Sequence, residues 1–379
     1  MPRRKNLILF GSHKGMLFSD NTKYLFLRAS DDLEVKAIWI TRSKHVMKEL
    51  QEHNFPCVYA NSFQSILLHL RARTGIYSYG IFSDLLGHLL GGAHVVNTWH
   101  GVGLKKVHFA YSKSNDYTWY NHHNVVIRSI NRLLYAISSY RSYWVFSTSP
   151  TVSSYYPETF HVKPKHVIEL GQARNDVFYR NELVDTNKLP DMLTGGKTII
   201  TYMPTHRDDG KVALDIESLM NLQELNDICE KENCIFLIKT HFYASDLTIK
   251  NSPHIINFGS SQIDPQVLLK YTNILITDYS SCYTDFLLLD RPIVFFCYDY
   301  DTYVTSDRDM YYPYDQVTPG AKCRTYEELK TSLIDILSGR DTYSEERKRV
   351  LDVFYSPQTR GPVIDKQWNF IKSHVMRLQ

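Results

Sequence analysis

The sequence predicts an α/β protein of two doubly wound domains, each on a parallel sheet, facing a central cleft. Three observations predict it. Short apolar runs alternate with stretches of helical spacing in both halves of the chain. Runs of this kind, joined through helices, belong to sheets covered on both faces, which are parallel. A polar stretch, 181–197, with Pro190, Gly195 and Gly196, separates the two series, and 379 residues suffice for two domains of ordinary size. The expected domains are 1–185 and 186–379, with the last helix packing back on the first.

In the first half, 6–10 reads as a strand, followed by a loop through Gly11 and Gly15. Ser19 caps a helix running to Ala29. Strand 35–40, helix 44–52, strand 56–59 and helix 63–73 follow, then strands at 77–82, 95–98 and near 143–147. In the second half, 198–203 is a strand, 214–231 a helix and 234–239 a strand. Helix 265–271 leads to strand 274–277, helix 282–289 and strand 292–297. Thr325 and Glu328 form a capping box that opens helix 326–337.

Composition narrows the function. Hydrophobic residues make up 43% and charged residues 22%, as in globular proteins. A net charge of +3 is too mild for nucleic acid as the main partner. It suits an anionic small molecule or an acidic membrane surface. The six cysteines, Cys57, Cys229, Cys234, Cys282, Cys297 and Cys323, show no metal spacing and read as buried thiols in a reduced, cytosolic setting. The apolar run after the basic N-terminus stops at Gly11, too short for a signal peptide, and no stretch reaches transmembrane length. Membrane contact is therefore expected at the cytoplasmic face, peripherally. Residues 117–157 contain no acid but hold Arg128, Arg132, Arg141 and many aromatics. Val126, Ile130, Leu133, Ile137 and Tyr140 recur at helical spacing, with Arg128 and Arg132 opposite. This describes an interfacial helix or a core-packed helix whose arginines face water.

Several polar groups sit where open α/β sheets bind ligands, at the carboxyl ends of strands. The run from Ile274 to Ser281 is a strand, an acidic turn at Asp278 and two hydroxyls, Ser280 and Ser281, opening a helix. Helix starts carry unpaired N–H groups and partial positive charge, which suit phosphate; a plain helix cap is the other reading. Asp285 lies one turn further on. Trp99-His100-Gly101 follows a strand, and an imidazole there suits a general base. Arg174 in Gly171-Gln172-Ala173-Arg174-Asn175-Asp176 can bind phosphate through two N–H groups or pair with Asp176 on a surface loop. Pro204, Thr205, His206, Arg207 and Asp208 leave the first strand of the second half. Lys239 and His241 end another strand on one side, where a cation and an imidazole can offset a leaving phosphate. Asp299-Tyr300-Asp301 can hold Mg²⁺ with a diphosphate, although a polar loop after a strand is the simpler account, because three-residue matches arise easily by chance. No cofactor is otherwise implied.

Taken in order, these pieces resemble the CDP-glycerol glycerophosphotransferases of teichoic acid synthesis. The series begins with Phe10-Gly11-Ser12 and the stretch 18–26, Phe18 to Phe26. It continues through Thr98-Trp99-His100-Gly101, Gly171 with Arg174-Asn175-Asp176, Pro204 to Asp208, and Lys239-Thr240-His241. Ile276 to Ser281 with Asp285, then Arg291-Pro292-Ile293 with Tyr298-Asp299, close it. The resemblance spans almost the whole chain. It implies a GT-B fold of two Rossmann-like domains, the second binding the CDP-alditol. It also implies a membrane-associated enzyme that transfers glycerol phosphate from CDP-glycerol to a hydroxyl of a lipid-linked saccharide or polyol-phosphate acceptor, releasing CMP. His100 is then the base and His241 the second critical histidine. Ser280, Ser281 and Asp285 hold the donor, with Arg174. Trp99, Gly101, Pro204, Thr205, Arg207, Asp208, Lys239 and Asp278 complete the expected binding set. Val102-Gly103 stands where the family commonly has Thr-Pro. Alternatives are CDP-ribitol as donor, a capsule polymer, a nucleotide-sugar glycosyltransferase, and an inactive scaffold on the same fold.

Overall fold

The computed structural model describes residues 2–137, 140–185, 189–205, 215–240, 252–259, 263–306 and 309–378. They form two compact units. One comprises Met1–His100, Val107–Tyr179 and Phe354–Gln379; the other comprises Gly101–Lys106 and Arg180–Val353.

The first unit is built on seven parallel strands: β1 (Arg4–Gly11), β2 (Lys36–Thr41), β3 (Cys57–Tyr59), β4 (Ala72–Tyr77), β5 (His94–Asn97), β6 (Ser142–Ser147) and β7 (Val167–Glu169). Their order is β3-β2-β1-β4-β5-β6-β7, with Leu9 opposite Ile38 and Gly75. The second holds six, β8 (Thr198–Tyr202), β9 (Cys234–Ile238), β10 (Ile255–Asn257), β11 (Ile274–Thr277), β12 (Ile293–Phe296) and β13 (Ala321–Cys323). They run in the order β10-β9-β8-β11-β12-β13. The central strands are buried on both faces. Leu7, Ile8, Leu9 and Phe10 are sealed in one unit, Ile274, Leu275 and Ile276 in the other, so strands here carry no polar alternation.

In each sheet the winding reverses once, between β1 and β4 and between β8 and β11. At such a reversal neighbouring loops diverge and leave a crevice at the carboxyl ends of the strands. In the first unit the loops there are those after Gly11 and Tyr77. In the second they are those after Tyr202 and Thr277.

Some expected elements shift. The strand expected at 77–82 lies at Ala72–Tyr77, and Ile81–Asp84 is a short helix. Gly75 is the misleading residue: it sits inside the strand because a Cβ there would come within 2.8 Å of Leu90 Cδ1. Helix 63–73 accordingly ends at Arg71. The single helix expected over 214–231 is divided, Ile216–Leu219 and Leu222–Lys231, because Asn221 caps the second by accepting from Glu224 N. Helix 282–289 tightens after Phe286 into a 3₁₀ turn. Strands β7, β10 and β13 have three residues each, too few for any periodicity to register.

The C-terminal segment packs with the first unit. Trp368 is fully buried, its indole N–H donating to Asp32 Oδ2 at 2.9 Å. Asp176, also fully buried, accepts Val363 N at 2.7 Å and Ile364 N at 3.0 Å, closing the N-terminus of the helix Ile364–Phe370. Asn175 Nδ2 donates to the Tyr355 hydroxyl at 3.2 Å. Two members of the Arg174-Asn175-Asp176 run therefore fasten the end of the chain, which leaves the arginine for another purpose.

Candidate functional site

His100 follows β5 in a turn of unusual backbone. Trp99 has φ 54° and Gly101 φ 141°. The first is a left-handed conformation that costs a non-glycine residue about 1 kcal/mol or more; the second is open to glycine alone. Trp99 is locked by Asn97 Oδ1, which accepts its N–H at 2.8 Å, and by edge contacts of its ring with His108 and Phe160. Gly101 is thus required by conformation, and Trp99 by packing. Together they turn the imidazole of His100 out of the strand direction and against Tyr79, with ring centroids 5.0 Å apart.

The imidazole has a defined tautomer. His100 Nδ1 lies 2.9 Å from the carbonyl oxygen of Ser78. A carbonyl only accepts, so Nδ1 carries the proton and Nε2 holds the lone pair. Burial pushes the His100 pKa down to about 4, although the Asp20 carboxylate and the Ser78 bond act to raise it. At neutral pH the ring is uncharged and Nε2 can take a proton.

Around it stand residues that sequence reasoning does not single out. Asp20 opens the helix Asp20–Ser30 at φ 69°. Its carboxylate lies 3.2 Å from Arg174 Nη1 and 3.4 Å from His13 Nε2. Burial alone would raise its pKa, but Arg174, His13 and His100 outweigh that and hold it well below the usual carboxylate range. Arg174 Nη1 also donates to the His100 carbonyl at 2.7 Å. Asn21 spans the same gap: Nδ2 donates to Trp99 O at 2.7 Å, while Oδ1 accepts Arg174 N at 2.9 Å. Asp20 and Asn21 therefore clamp the His100 turn to the Arg174 turn. Both fall within the stretch 18–26, but no spacing rule separates Asp20 from Asp31 or Asp32. Its left-handed φ is the distinguishing signal, and it is visible only in the structure.

The second unit brings together Pro204, Thr205, Asp278, Ser280, Ser281 and Asp285, and places Lys239 at the end of the neighbouring strand β9. Asp278 is fully buried; its Oδ1 accepts from Thr205 N at 2.8 Å, Thr205 Oγ1 at 2.6 Å and Tyr279 N at 2.6 Å. It joins the turns after β8 and β11. Pro204 is buried beneath them. Asp285 is buried too and accepts from Gln266 Nε2 at 2.9 Å. Ser280 and Ser281 remain partly exposed, and the side chain of Ser281, the residue before the helix Cys282–Phe286, makes no capping bond. Ser280 Oγ does accept Cys282 N, at 3.4 Å, so the capping role remains beside the ligand-binding one. Lys239 Nζ donates to Phe258 O at 3.3 Å and Gly259 O at 3.4 Å. Burial lowers its pKa to about 8, which leaves it mostly charged at neutral pH. Arg207, Asp208 and His241 lie outside the described residues.

The residues just after His100 group with this second unit. Val102 and Leu104 are buried. Thr284 Oγ1, on the helix that follows Ser281, donates to Val102 O at 3.2 Å. Tyr311 N donates to Leu104 O and Lys106 N to Asp309 O, both at 2.7 Å, and Lys105 meets Tyr303. Asp299 accepts from the Tyr279 hydroxyl at 3.1 Å, while Asp301 pairs with Arg324 at 3.4 Å. The two carboxylates are thus engaged with different partners. Among the described residues no group of three His, Cys, Asp or Glu is placed to hold a metal ion.

In the first unit, an imidazole presenting one basic nitrogen with an arginine beside it suits a general base; in the second, partly exposed hydroxyls and a lysine at the end of the parallel sheet suit a phosphate. The comparisons with known proteins agree. The model of the CDP-glycerol:poly(glycerophosphate) glycerophosphotransferase family matches residues 1–361. The chain is 30% identical over 370 residues to the teichoic acid glycerol-phosphate transferase of Staphylococcus aureus, covering 93% of this chain and 88% of that one. It is 28% identical over 347 residues to the teichoic acid poly(glycerol phosphate) polymerase of Bacillus spizizenii, covering 87% and 83%. The solved structure of the wall teichoic acid polymerase TagF aligns with TM-score 0.76 at 22% identity, over 98% of this chain and 90% of that one; this bears on the fold, which is GT-B-like. The chain belongs to the CDP-glycerol:poly(glycerophosphate) glycerophosphotransferase family.

Proposed function

We propose that this enzyme transfers glycerol phosphate from CDP-glycerol to a hydroxyl of a teichoic acid acceptor carried on a membrane lipid. The observation that carries the reading is the single basic nitrogen of His100. Nε2 takes the proton of the acceptor hydroxyl as the oxygen attacks the phosphorus next to glycerol. The bond from that phosphorus to the oxygen of CMP breaks, and a phosphodiester forms. Ser280 and Ser281 hold the donor diphosphate, with Arg207 and Arg174. Lys239 and His241 offset the charge on departing CMP. Positioning and electrostatics supply most of the acceleration in such transfers.

Incubation with CDP-glycerol, CDP-ribitol and nucleotide sugars, read out as free nucleotide, tests the donor. CMP from CDP-glycerol is the expected product. Turnover of CDP-ribitol alone would move the reading to ribitol phosphate, and UDP or GDP release would replace it with glycosyl transfer.

Attachment to the membrane surface rests on the helix Val125–Ile137. Its packing is inverted. Val125, Val126, Ile127, Ile130, Leu133 and Leu134 are exposed, whereas Asn131 is buried and donates to Trp119 O at 2.7 Å. The Arg132 guanidinium lies over the Tyr120 ring and donates to Asn121 at 3.0 Å. The apolar side chains of this helix are thus turned away from a core, while Arg132 is exposed and Arg128 half-buried. An apolar face turned outward, on an acid-free segment, fits an anionic bilayer. Among the described residues no helix is long and apolar enough to cross a membrane. Replacing Val126, Ile130 and Leu133 together by serine should abolish sedimentation with phosphatidylglycerol vesicles. Undiminished sedimentation would rule out this helix as the anchor.

A further inference from the structure

Beside His100 the first unit carries a shelf that the transfer step leaves unused. His13, Lys14 and Gly15 are three successive residues at positive φ, 44°, 58° and 78°. Two are not glycine, and such strain persists only where surrounding structure enforces it. Here the enforcer is Asp84, a fully buried carboxylate. Its Oδ1 accepts Lys14 N at 2.7 Å; its Oδ2 accepts Tyr79 N at 2.8 Å, with Ser78 N and Gly80 N each at 3.3 Å. One carboxylate thus binds the loop after β1 to the loop after β4. The result is a stack: the Tyr79 ring lies between His100, at 5.0 Å, and His13, at 6.1 Å. Lys14 Nζ stands 5.3 Å from the centroid of the same ring. Tyr79 is 37% exposed, and Lys14 is exposed. The two imidazoles cover the ring faces, so the shelf offers a ligand the part of Tyr79 that stays exposed and the Lys14 ammonium, which meets an anion.

We infer that His13, Lys14 and Tyr79 form an acceptor subsite for the phosphodiester of a polyol-phosphate chain end. This rests on the proposed function and adds to it. An acceptor whose attacking hydroxyl reaches His100 Nε2 carries its nearest phosphodiester a few bonds away, and along this shelf the charge that meets it is the Lys14 ammonium, with the His13 imidazole beside it.

Lys14→Asn tests this, because asparagine tolerates left-handed backbone and removes the ammonium. Lys48→Asn, on an exposed helix position paired with Glu52, is the control. With an acceptor ending in glycerol phosphate, Lys14→Asn should raise acceptor KM about tenfold, the loss expected for one charge-assisted contact. KM for CDP-glycerol should stay within about twofold of the control. An unchanged acceptor KM overturns the subsite, and so does a rise confined to CDP-glycerol, which would assign the shelf to the donor. A second measurement is independent of turnover. Glycerophosphoglycerol titrated into the wild-type protein by calorimetry should bind, and binding should weaken at least about fivefold in Lys14→Asn. Absence of CMP release by the wild type would defeat the proposed function, whereas equal binding of the diester by both proteins would defeat the subsite alone.

Discussion

Replacing His100 by alanine should lower CMP release from CDP-glycerol at least ~100-fold, the smallest loss typical when a positioned general base is removed. The fold should survive, since Trp99 and Gly101 keep the turn and Arg174 binds the backbone carbonyl of residue 100 rather than its ring. Near-normal CMP release by a folded His100→Ala protein would end the assignment. The pH dependence is a second signature of the same residue. The active form is the neutral ring, and His100 is pushed down to about 4. The base is therefore lost only as pH falls through about 4, well below the ordinary imidazole range of roughly 6.5. The acid limb of kcat/KM should lie there. A limb near the ordinary imidazole value would mean that another group titrates.

Asp20→Asn should produce the second large effect, by a different route. Asp20 and Arg174 are an almost completely buried pair, with side chains 4% and 12% exposed. Removing one charge strands the other, and breaking buried pairs costs about 3–5 kcal/mol. A clear fall in melting temperature is expected. Activity should drop further than stability explains, because Arg174 loses the anchor that holds it on the His100 carbonyl. The double variant Asp20→Asn/Arg174→Gln separates the two roles. If the residues act as one unit, the double variant is little worse than the worse single one; strictly additive losses in kcat would show that they do not.

Much of this site is legible in the amino-acid sequence. His100, Lys239 and the serine pair stand at strand ends, where apolar runs mark the strands and polar residues directly after them mark the crevice, whereas Arg174 follows β7, too short to register, and is found by its motif alone. Asp278 and Asp285 follow from the same logic but serve differently: both are buried and spend their oxygens on Thr205, Tyr279 and Gln266. Sequence spacing locates a carboxylate without revealing whether it faces inward. Asp20, His13 and Asp84 escape because their significance lies in backbone strain and in contacts between loops far apart in the chain. Lys14 and Asp84 are 70 residues apart, and Asp20 and Arg174 are 154 apart. The three-residue strands at the sheet edges escape for want of length. The inverted helix Val125–Ile137 is recognisable as amphipathic, but hydrophobic periodicity is symmetric between a core and a bilayer. Only the burial of Asn131 beside exposed Ile130 and Leu133 breaks that symmetry.

The proposed attachment through that helix would also change how the enzyme's affinity for its acceptor is expressed. A protein lying on the bilayer meets lipid-carried chains by diffusion in two dimensions. Saturation then depends on acceptors per unit area, and adding empty lipid dilutes the substrate while its concentration per litre stays constant. Under the proposed attachment, KM toward the acceptor is a surface density, and the membrane is part of the enzyme's solvent.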